Sequence, residues 1–337
     1  MKIAFFDLFK KEEESFRNLL EGHEVLFFEE KLSVENIEKI KDIEVLSVFV
    51  SSPVTKEIID QLPNLKLISA RSTGYDHIDS TYAESRGIKV ATVPAYGSHT
   101  VAEFTFGLLL SLARKVYIGY SHLKDDTNFS LANLEGFDLM GKTLGIIGTG
   151  KIGKNVVKIA KGFGMNVLAF DLYPDMAFAE ENGFTYSDLD QVLKESDIVT
   201  LHVPYTKENH HLINKENILK MKKGVYIINT ARGELIDTSS LLWGLKEKII
   251  AGAGLDVLEG ERDMKEEHNT MSSVSLQEKV MDYRTLLENH MLIDMENVVV
   301  TPHIAFYSKE AEDEIVRITS QNIDSFSKGN PINLVKI

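Results

Sequence analysis

Several ionisable side chains in the C-terminal half of the chain follow directly on apolar segments. Arg232 lies in NTARG, Glu261 ends LDVLEGE, and His303 follows VVVTP. An arginine can bind a carboxylate through two parallel hydrogen bonds, and a histidine can exchange a proton near neutral pH when a carboxylate beside it favours the imidazolium. These residues are suited to a 2-keto acid. The arginine would hold the carboxylate and the ketone oxygen, and the histidine would protonate that oxygen as a hydride adds to the carbon.

The partner of His303 is not unique in the sequence. Glu261 lies in the acidic run EGERDMKEEH, so that Glu259 and Glu266 are alternatives to it. A run of this kind is more often a solvated face than part of a site. Asp256, in the same region, is better suited to orient a nicotinamide than to transfer a proton.

A glycine-rich segment predicts where a dinucleotide binds. In GIIGTGKIGK, the glycines Gly148, Gly150 and Gly153 follow a short apolar run and open a segment in which apolar residues recur at helical spacing. This glycine spacing permits a tight turn, a close approach of the backbone to a pyrophosphate, and close packing of helix on strand. Asp171 ends the next apolar run, where an acid that binds ribose hydroxyls is expected.

The elements that would position these residues alternate between strands and helices. The glycine segment opens on the first of six predicted strands, which would complete a dinucleotide-binding sheet. Ahead of it, five apolar runs from KIAFFD onward predict a second parallel sheet, and this sheet lacks a glycine fingerprint. Pro94 and Gly97 mark a hinge, followed by an apolar helix over 100–118 that Ser98 or Thr100 would cap.

The predicted fold class is therefore α/β, with two doubly wound parallel-sheet domains: a flavodoxin-like substrate domain and a Rossmann dinucleotide-binding domain. The substrate domain is expected to comprise residues 1–98 and 307–337, because the C-terminal segment has the pattern of one long amphipathic helix that returns to the first domain. The NAD-binding domain is expected over residues 99–306.

Composition disfavours several classes of protein. The 337 residues carry a net charge of −14, which disfavours nucleic acid or an anionic membrane as a partner. The absence of cysteine excludes disulfides and thiolate metal sites, and no apolar run has the length of a membrane span or a signal peptide core. His210 and His211 are adjacent without a neighbouring ligand cluster, so no metal site is predicted. A cytoplasmic protein is expected.

The order of the motifs resembles that of the D-2-hydroxyacid dehydrogenase family, most closely its D-lactate dehydrogenase branch. GTGKIG, LHVP, NTARG, LDVLEGE and TPHIAFYS match in order over nearly the whole chain. The resemblance implies that Arg232 binds the substrate, that His303 is the acid/base and that Glu261 pairs with this histidine. Residues 262–295 are longer than in most relatives, and we expect them to form an excursion on the active-site side with a helix of its own.

The resemblance also implies the ligands and where they bind. Backbone amides near Thr73 and Gly74 would hold the substrate carboxylate, and Tyr96 would reach the substrate. NAD is the implied cofactor, and the residues expected to contact it are Gly148, Gly150, Lys151, Ile152, Gly153, Asp171, Val203, Pro204, Asn209, Thr230, Ala231, Arg232, Asp256, His303, Ala305 and Phe306. A homodimer formed through the NAD-binding domain is implied as well.

Three activities are compatible with these residues. The favoured one is the reduction of pyruvate to D-lactate with NADH. The same chemistry would serve hydroxypyruvate, glyoxylate or a branched 2-keto acid. The third is a protein that senses NAD without catalysis, because some relatives of this fold act as transcriptional corepressors.

Overall fold

The structure, a computed structural model, describes residues 1–127, 129–261, 264 and 282–336. The chain forms two compact units, Met1–Tyr96 with Tyr307–Ile337, and Gly97–Phe306. In the described residues, each unit contains a sheet whose strands pair with one another in parallel. The predicted α/β class with two parallel-sheet domains is confirmed.

The first unit is built on a five-stranded sheet in the order β2-β1-β3-β4-β5, the order of flavodoxin-like folds. Its strands are β1 (Lys2–Phe5), β2 (Glu24–Phe27), β3 (Val45–Val48), β4 (Leu67–Ala70) and β5 (Lys89–Ala91). Its helices are Glu13–Leu19, Lys56–Asp60, Ser80–Ser85 and Lys309–Ser327, with short 3-10 helices at Lys10–Glu12 and Ile37–Ile40. Alternate residues of β1 enter different apolar clusters, Ala4 one and Ile3 the other. The sheet is therefore covered on both faces, as parallel sheets require.

Within its described residues, the second unit contains seven strands rather than the six that the sequence predicts. They are β6 (Thr143–Ile147), β7 (Asn166–Phe170), β8 (Thr185–Tyr186), β9 (Ile198–Leu201), β10 (Val225–Asn229), β11 (Ile250–Leu255) and β12 (Val298–Val300), in the order β12-β11-β10-β9-β6-β7-β8. The strand that the prediction missed is β8. Two residues are too few to produce a periodic pattern. With β8 included, the strands β8-β7-β6-β9-β10-β11 have the Rossmann order, and β12 extends it.

The helices of the second unit connect these strands. They are Ser98–Ala113, Val116–Asp126, Lys151–Gly162, Met176–Asn182, Leu189–Glu195, Lys215–Lys220, Thr238–Lys246 and Tyr283–Ile293, with 3-10 helices at Lys207–Asn209 and Gly233–Leu235. The last of the longer helices, Tyr283–Ile293, lies inside the segment 262–295 and supplies the helix expected there. The predicted excursion of this segment on the active-site side concerns residues 262–263 and 265–281, which lie outside the described residues.

The helix predicted over 100–118 differs from the prediction at both ends. It begins at Ser98, and its N-cap is Gly97, so neither Ser98 nor Thr100 caps it. It ends at Ala113, because Lys115 adopts a left-handed conformation with φ +53° and a second helix begins after it. The prediction failed because apolar residues continue across the break.

None of the helices in the described ranges is long and apolar enough to cross a bilayer.

Candidate active site

The glycine-rich turn joins β6 to the helix Lys151–Gly162. Gly148 has φ +96°, and a Cβ on it would lie 2.7 Å from the carbonyl carbon of His202, so glycine alone fits the turn. A Cβ on Gly153 would lie 2.0 Å from the Gly148 carbonyl oxygen, which means that helix and strand approach closely. A Cβ on Gly150 would meet no described atom within 4 Å outside the turn itself. The turn has the geometry of a phosphate-binding loop at a helix N-terminus.

Asp171 follows β7 directly and lies beside the glycine-rich turn. Its Oδ2 accepts hydrogen bonds from the backbone N and the hydroxyl of Thr149, at 2.6 and 2.9 Å, and its Oδ1 accepts from the backbone N of Tyr173 at 2.8 Å. The Tyr186 hydroxyl lies 2.8 Å from Thr149 Oγ1 and extends this network to β8. The carboxylate is thus held in one orientation. Sequence reasoning missed Tyr186 because it missed its strand.

We expect NADH to be used in preference to NADPH. A 2′-phosphate would lie next to the Asp171 carboxylate, and residues 172–175 are Leu, Tyr, Pro and Asp, with no cation among them. Asp171→Ala should lower the ratio of kcat/KM with NADH to kcat/KM with NADPH by at least about tenfold, equivalent to about 1.4 kcal/mol. Steady-state assays with each cofactor measure this ratio. A higher kcat/KM with NADPH in the unaltered protein would contradict the assignment of Asp171.

Arg232 follows β10 in a turn that is held by hydrogen bonds. The side-chain amide of Asn229 donates to the Arg232 carbonyl oxygen at 2.8 Å and accepts from the preceding backbone N at 3.0 Å. The Arg232 Nη1 donates to the preceding carbonyl oxygen at 2.8 Å. A Cβ on Gly233 would lie 2.0 Å from the carbonyl carbon of Leu258. The arginine turn therefore packs directly against the loop that leads to Glu261.

Glu261 and His303 are in direct contact. The distance from His303 Nδ1 to Glu261 Oε1 is 2.8 Å, and the two side chains are 29% and 31% exposed. Because this contact occupies Nδ1, the Nε2 nitrogen is the one available to exchange a proton with a substrate.

Among the other acidic residues of this run, Glu259 is the one that the structure describes. Glu259 contacts His211 instead, with 2.6 Å between Glu259 Oε1 and His211 Nε2. Glu266 lies outside the described residues. Gly260, between the two glutamates, has φ +68°, and the backbone turn there accompanies the divergence of their side chains toward different histidines.

Asp256 is buried at the end of β11 and organises the loop that carries His303. Its carboxylate accepts hydrogen bonds from the Thr301 hydroxyl at 2.6 Å and from the backbone N of Ile304 and of Ala305, at 2.9 and 2.8 Å. Burial raises the pKa of Asp256, and these hydrogen bonds oppose the shift. His303 has φ +58°, an uncommon conformation for a residue with a Cβ. Asp256 stabilises that conformation from both sides, so it is a positioning residue for His303.

In the first unit, RSTGYD follows β4. The exposed Thr73 donates through its hydroxyl to the Val93 carbonyl oxygen at 2.8 Å, and Ser72 donates to the carbonyl oxygen of Gly74 at 2.6 Å. Tyr96 packs against a small apolar cluster that includes Val93. These bonds give the segment a defined conformation.

Arg71 anchors the same segment and was missed by sequence reasoning. It is fully buried, and its Nη2 donates to the carbonyl oxygens of Phe6 and Asp7 at 2.8 and 2.6 Å. Burial lowers the pKa of Arg71 to about 10, which leaves it charged near neutral pH. The guanidinium thereby ties the loop after β1 to the segment after β4. Its place at the end of an apolar strand was the available signal.

The other residues predicted to contact the cofactor lie in the second unit, on strand ends, helix starts and loops. Thr230 is buried, with its hydroxyl 3.0 Å from that of Thr105. Asn209 uses its side chain within its own turn, because it donates to the Pro204 carbonyl oxygen at 2.8 Å and accepts from the Thr206 backbone N at 2.7 Å. The remaining ones are Lys151, Ile152, Val203, Ala231 and Phe306.

His202, in the LHVP motif, is partly buried, and its backbone lies against the glycine-rich turn at Gly148. Its Nε2 lies 2.9 Å from the Thr200 hydroxyl, and its Nδ1 has no hydrogen-bond partner among the described residues. Burial lowers the pKa of His202 to about 3, so that the imidazole is neutral in the folded protein at ordinary pH.

We expect acid to destabilise the protein partly through His202. Its pKa is about 3 in the fold against an ordinary value of 6.5, so in this window the unfolded chain binds the extra proton and the free energy of unfolding falls as the pH falls. The slope is about 1.4 kcal/mol per pH unit. The urea concentration at the midpoint of unfolding should decrease less between about pH 7 and about pH 5 for His202→Gln than for the unaltered chain, because the variant lacks the titrating group. An exposed control, His99→Gln, should retain the full loss.

These features define the class of the protein. A Rossmann sheet carries a glycine-rich turn with an acid held beside it, and at the same edge an arginine turn packs against the loop that leads to a hydrogen-bonded histidine–glutamate pair. This combination is that of a dinucleotide-dependent dehydrogenase.

Comparison with known proteins gives the family. Residues 106–305 match the NAD-binding domain of the D-isomer specific 2-hydroxyacid dehydrogenases. The chain is 38% identical over 333 residues to the D-lactate dehydrogenase of Escherichia coli, covering 98% of each chain, and 38% identical over 331 residues to an aromatic 2-oxoacid reductase of Clostridium sporogenes, covering 97% and 96%. The chain belongs to the D-isomer specific 2-hydroxyacid dehydrogenase family.

Solved structures agree with this assignment. The crystal structure of a D-lactate dehydrogenase from Aquifex aeolicus, complexed with NAD and lactic acid, matches with a TM-score of 0.88 at 37% identity, over 99% of this chain and 98% of that one. The family's NAD-binding domain and this neighbour confirm NAD as the cofactor. The protein is an NAD-dependent 2-hydroxyacid oxidoreductase.

Proposed function

We propose that this protein reduces pyruvate to D-lactate with NADH. The observation that carries the proposal is the 2.8 Å contact between His303 and Glu261. That contact provides a proton donor paired with a carboxylate, and the turn that carries Arg232 lies at the same edge of the sheet. The similarity to D-lactate dehydrogenases over nearly the full length of both chains supports pyruvate as the substrate.

In the proposed mechanism, NADH supplies the hydride when it is bound. Arg232 binds the substrate carboxylate and polarises the ketone oxygen, and His303 delivers a proton to that oxygen from Nε2. Glu261 accepts the hydrogen bond from Nδ1 and stabilises the imidazolium that reduction requires. In the reverse direction, neutral His303 removes the hydroxyl proton.

Residues of the first unit are proposed to complete substrate binding. The amides near Thr73 and Gly74 would receive the substrate carboxylate, and Tyr96 would contact the rest of the molecule. The bonds that Arg71 makes to the loop after β1 support the conformation that this role needs. We therefore assign residues 1–98 and 307–337 as the substrate domain and residues 99–306 as the NAD-binding domain.

NADH oxidation over a panel of 2-keto acids tests the substrate. Pyruvate is expected to give the highest kcat/KM among pyruvate, glyoxylate, hydroxypyruvate, branched and aromatic 2-keto acids. Chiral chromatography of the product should show D-lactate. A higher value for one of the other acids would identify that acid as the substrate, and NADH binding without turnover of any would favour a sensor.

We also propose a cytoplasmic homodimer that associates through the NAD-binding domain. The support for association is a set of exposed apolar side chains on and after helix Val116–Asp126, among them Val116, Tyr120, Leu123 and Leu131. The molar mass measured by light scattering should be twice the chain mass. Tyr120→Glu should lower this mass toward that of the monomer.

A further inference from the structure

Three metal-binding side chains meet in the second unit, apart from the His303–Glu261 pair. His210, His211 and Glu259 each place one potential ligand atom within 4.8 Å of the others. The two imidazole rings are stacked, with centroids 3.7 Å apart and an angle of 25° between their planes. The sequence alone brings the histidines together, and the fold adds the carboxylate from a loop 48 positions further along the chain.

The backbone that carries the two histidines is already fixed. His211 has φ +53°, and its backbone N donates to the Glu234 carbonyl oxygen at 2.9 Å. Ile213 donates in the same way to Leu235 at 2.9 Å, and the Asn214 side chain donates to the His211 carbonyl oxygen at 3.1 Å. Because the backbone at His211 is ordered in advance, an ion that binds this histidine loses less free energy to ordering the chain.

Glu259 is oriented by contacts of its own. Its Oε2 accepts a hydrogen bond from the Thr238 hydroxyl at 3.2 Å, and its carbonyl oxygen accepts one from the Asn289 side chain at 2.8 Å. Contacts of this kind hold a carboxylate ligand in place and raise the affinity of a metal site. They leave Oε1 directed at His211.

We propose that His210, His211 and Glu259 bind a divalent transition-metal ion such as Zn²⁺. Two imidazole nitrogens and one carboxylate oxygen suit Zn²⁺, Ni²⁺ or Cu²⁺, whereas Mg²⁺ and Ca²⁺ favour oxygen ligands. The ion takes the place of the hydrogen bond that now joins His211 and Glu259 at 2.6 Å, and any proton held in that bond passes to solvent. The His211 nitrogen and the Glu259 oxygen must then separate to about 3.3 Å. This is the spacing of two ligand atoms that each lie about 2.0–2.2 Å from a tetrahedral Zn²⁺ ion. Water completes the coordination.

The proposed site shares its loop with the catalytic pair. Gly260 alone separates Glu259 from Glu261, so an ion held by Glu259 would restrain the same segment that carries the partner of His303. The metal site itself rests on the geometry of His210, His211 and Glu259 and does not depend on which 2-keto acid the enzyme reduces.

Calorimetric titration of the chelator-treated full-length protein with ZnCl₂ tests the site, with Co²⁺ absorption as a second readout. The unaltered protein should bind one Zn²⁺ per chain, and Mg²⁺ should not compete. His210→Ala and Glu259→Gln should each weaken binding by at least about tenfold, the lower end of the effect expected even for residues that only support a ligand. His99→Ala removes an exposed histidine that pairs with Glu103 and should leave Zn²⁺ binding unchanged.

His210→Ala separates metal binding from folding, because it leaves the His211–Glu259 hydrogen bond in place. Its thermal unfolding and its NADH affinity should match those of the unaltered chain. The proposal fails if the unaltered protein binds no Zn²⁺, if His210→Ala and Glu259→Gln bind it as tightly as the unaltered chain, or if His99→Ala weakens binding as much as His210→Ala does.

Discussion

Replacing His303 by alanine is expected to lower kcat/KM for pyruvate reduction by about 10²–10⁴-fold, the range for loss of a general acid. The reason is that His303 donates the proton that neutralises the developing alkoxide, and Glu261 holds its other nitrogen at 2.8 Å. NADH affinity, measured by fluorescence titration, should change little. Steady-state kinetics with pyruvate and NADH give the rate.

The backbone of His303 calls for a second variant. Its φ of +58° is strained for alanine but is readily adopted by asparagine. His303→Asn should therefore keep the loop conformation and lose the proton transfer, so its rate should fall about as far as that of His303→Ala. Near-normal activity of His303→Asn would show that the loop geometry, and not the imidazole, carries the effect.

Glu261 and Glu259 provide a matched pair of controls for this result. Glu261→Gln keeps a similar shape but removes the charge beside His303, so we expect a rate loss smaller than that of His303→Ala. Glu259→Gln alters a carboxylate that contacts His211 instead and should have a much smaller effect on reduction. A larger rate loss for Glu259→Gln than for Glu261→Gln would mean that Glu259 is the partner of His303 during catalysis.

Replacing Arg232 by lysine is expected to weaken transition-state binding of the keto acid by about 1.5–3 kcal/mol, the range for hydrogen bonds to charged groups. Lysine keeps the positive charge but lacks the planar fork that binds a carboxylate through two parallel bonds. The expected loss in kcat/KM for pyruvate is about 10- to 150-fold, with NADH affinity nearly unchanged.

The Arg232 turn is expected to survive the substitution. Its conformation depends on the Asn229 side chain, which bonds the backbone at 2.8 and 3.0 Å, and on the close approach of Gly233 to the 258–259 backbone. Thermal unfolding of Arg232→Lys should therefore match that of the unaltered chain. Unaltered kinetics for the keto acid would exclude the proposed role of Arg232.

Local patterns in the sequence determined much of this protein. Buried parallel strands appear as short apolar runs because both faces of each sheet are covered, and the glycine-rich turn is recognisable because φ at Gly148 and the space around Gly153 admit no side chain. Arginine, histidine and acidic residues at strand ends indicated keto-acid chemistry, since the carboxyl ends of parallel strands share one edge. None of these inferences needed a distance between remote residues.

The tertiary structure alone decided which groups meet. Nothing local distinguishes Glu259 from Glu261, yet one contacts His211 and the other His303. Asp256 holds the His303 loop through hydrogen bonds to residues 45 to 49 positions away, and the two-residue strand β8 is defined by its pairing with β7. Sequence periodicity records which face of an element is buried, whereas contacts between loops depend on side-chain directions set by single backbone turns such as Gly260, and the packed fold alone determines those directions.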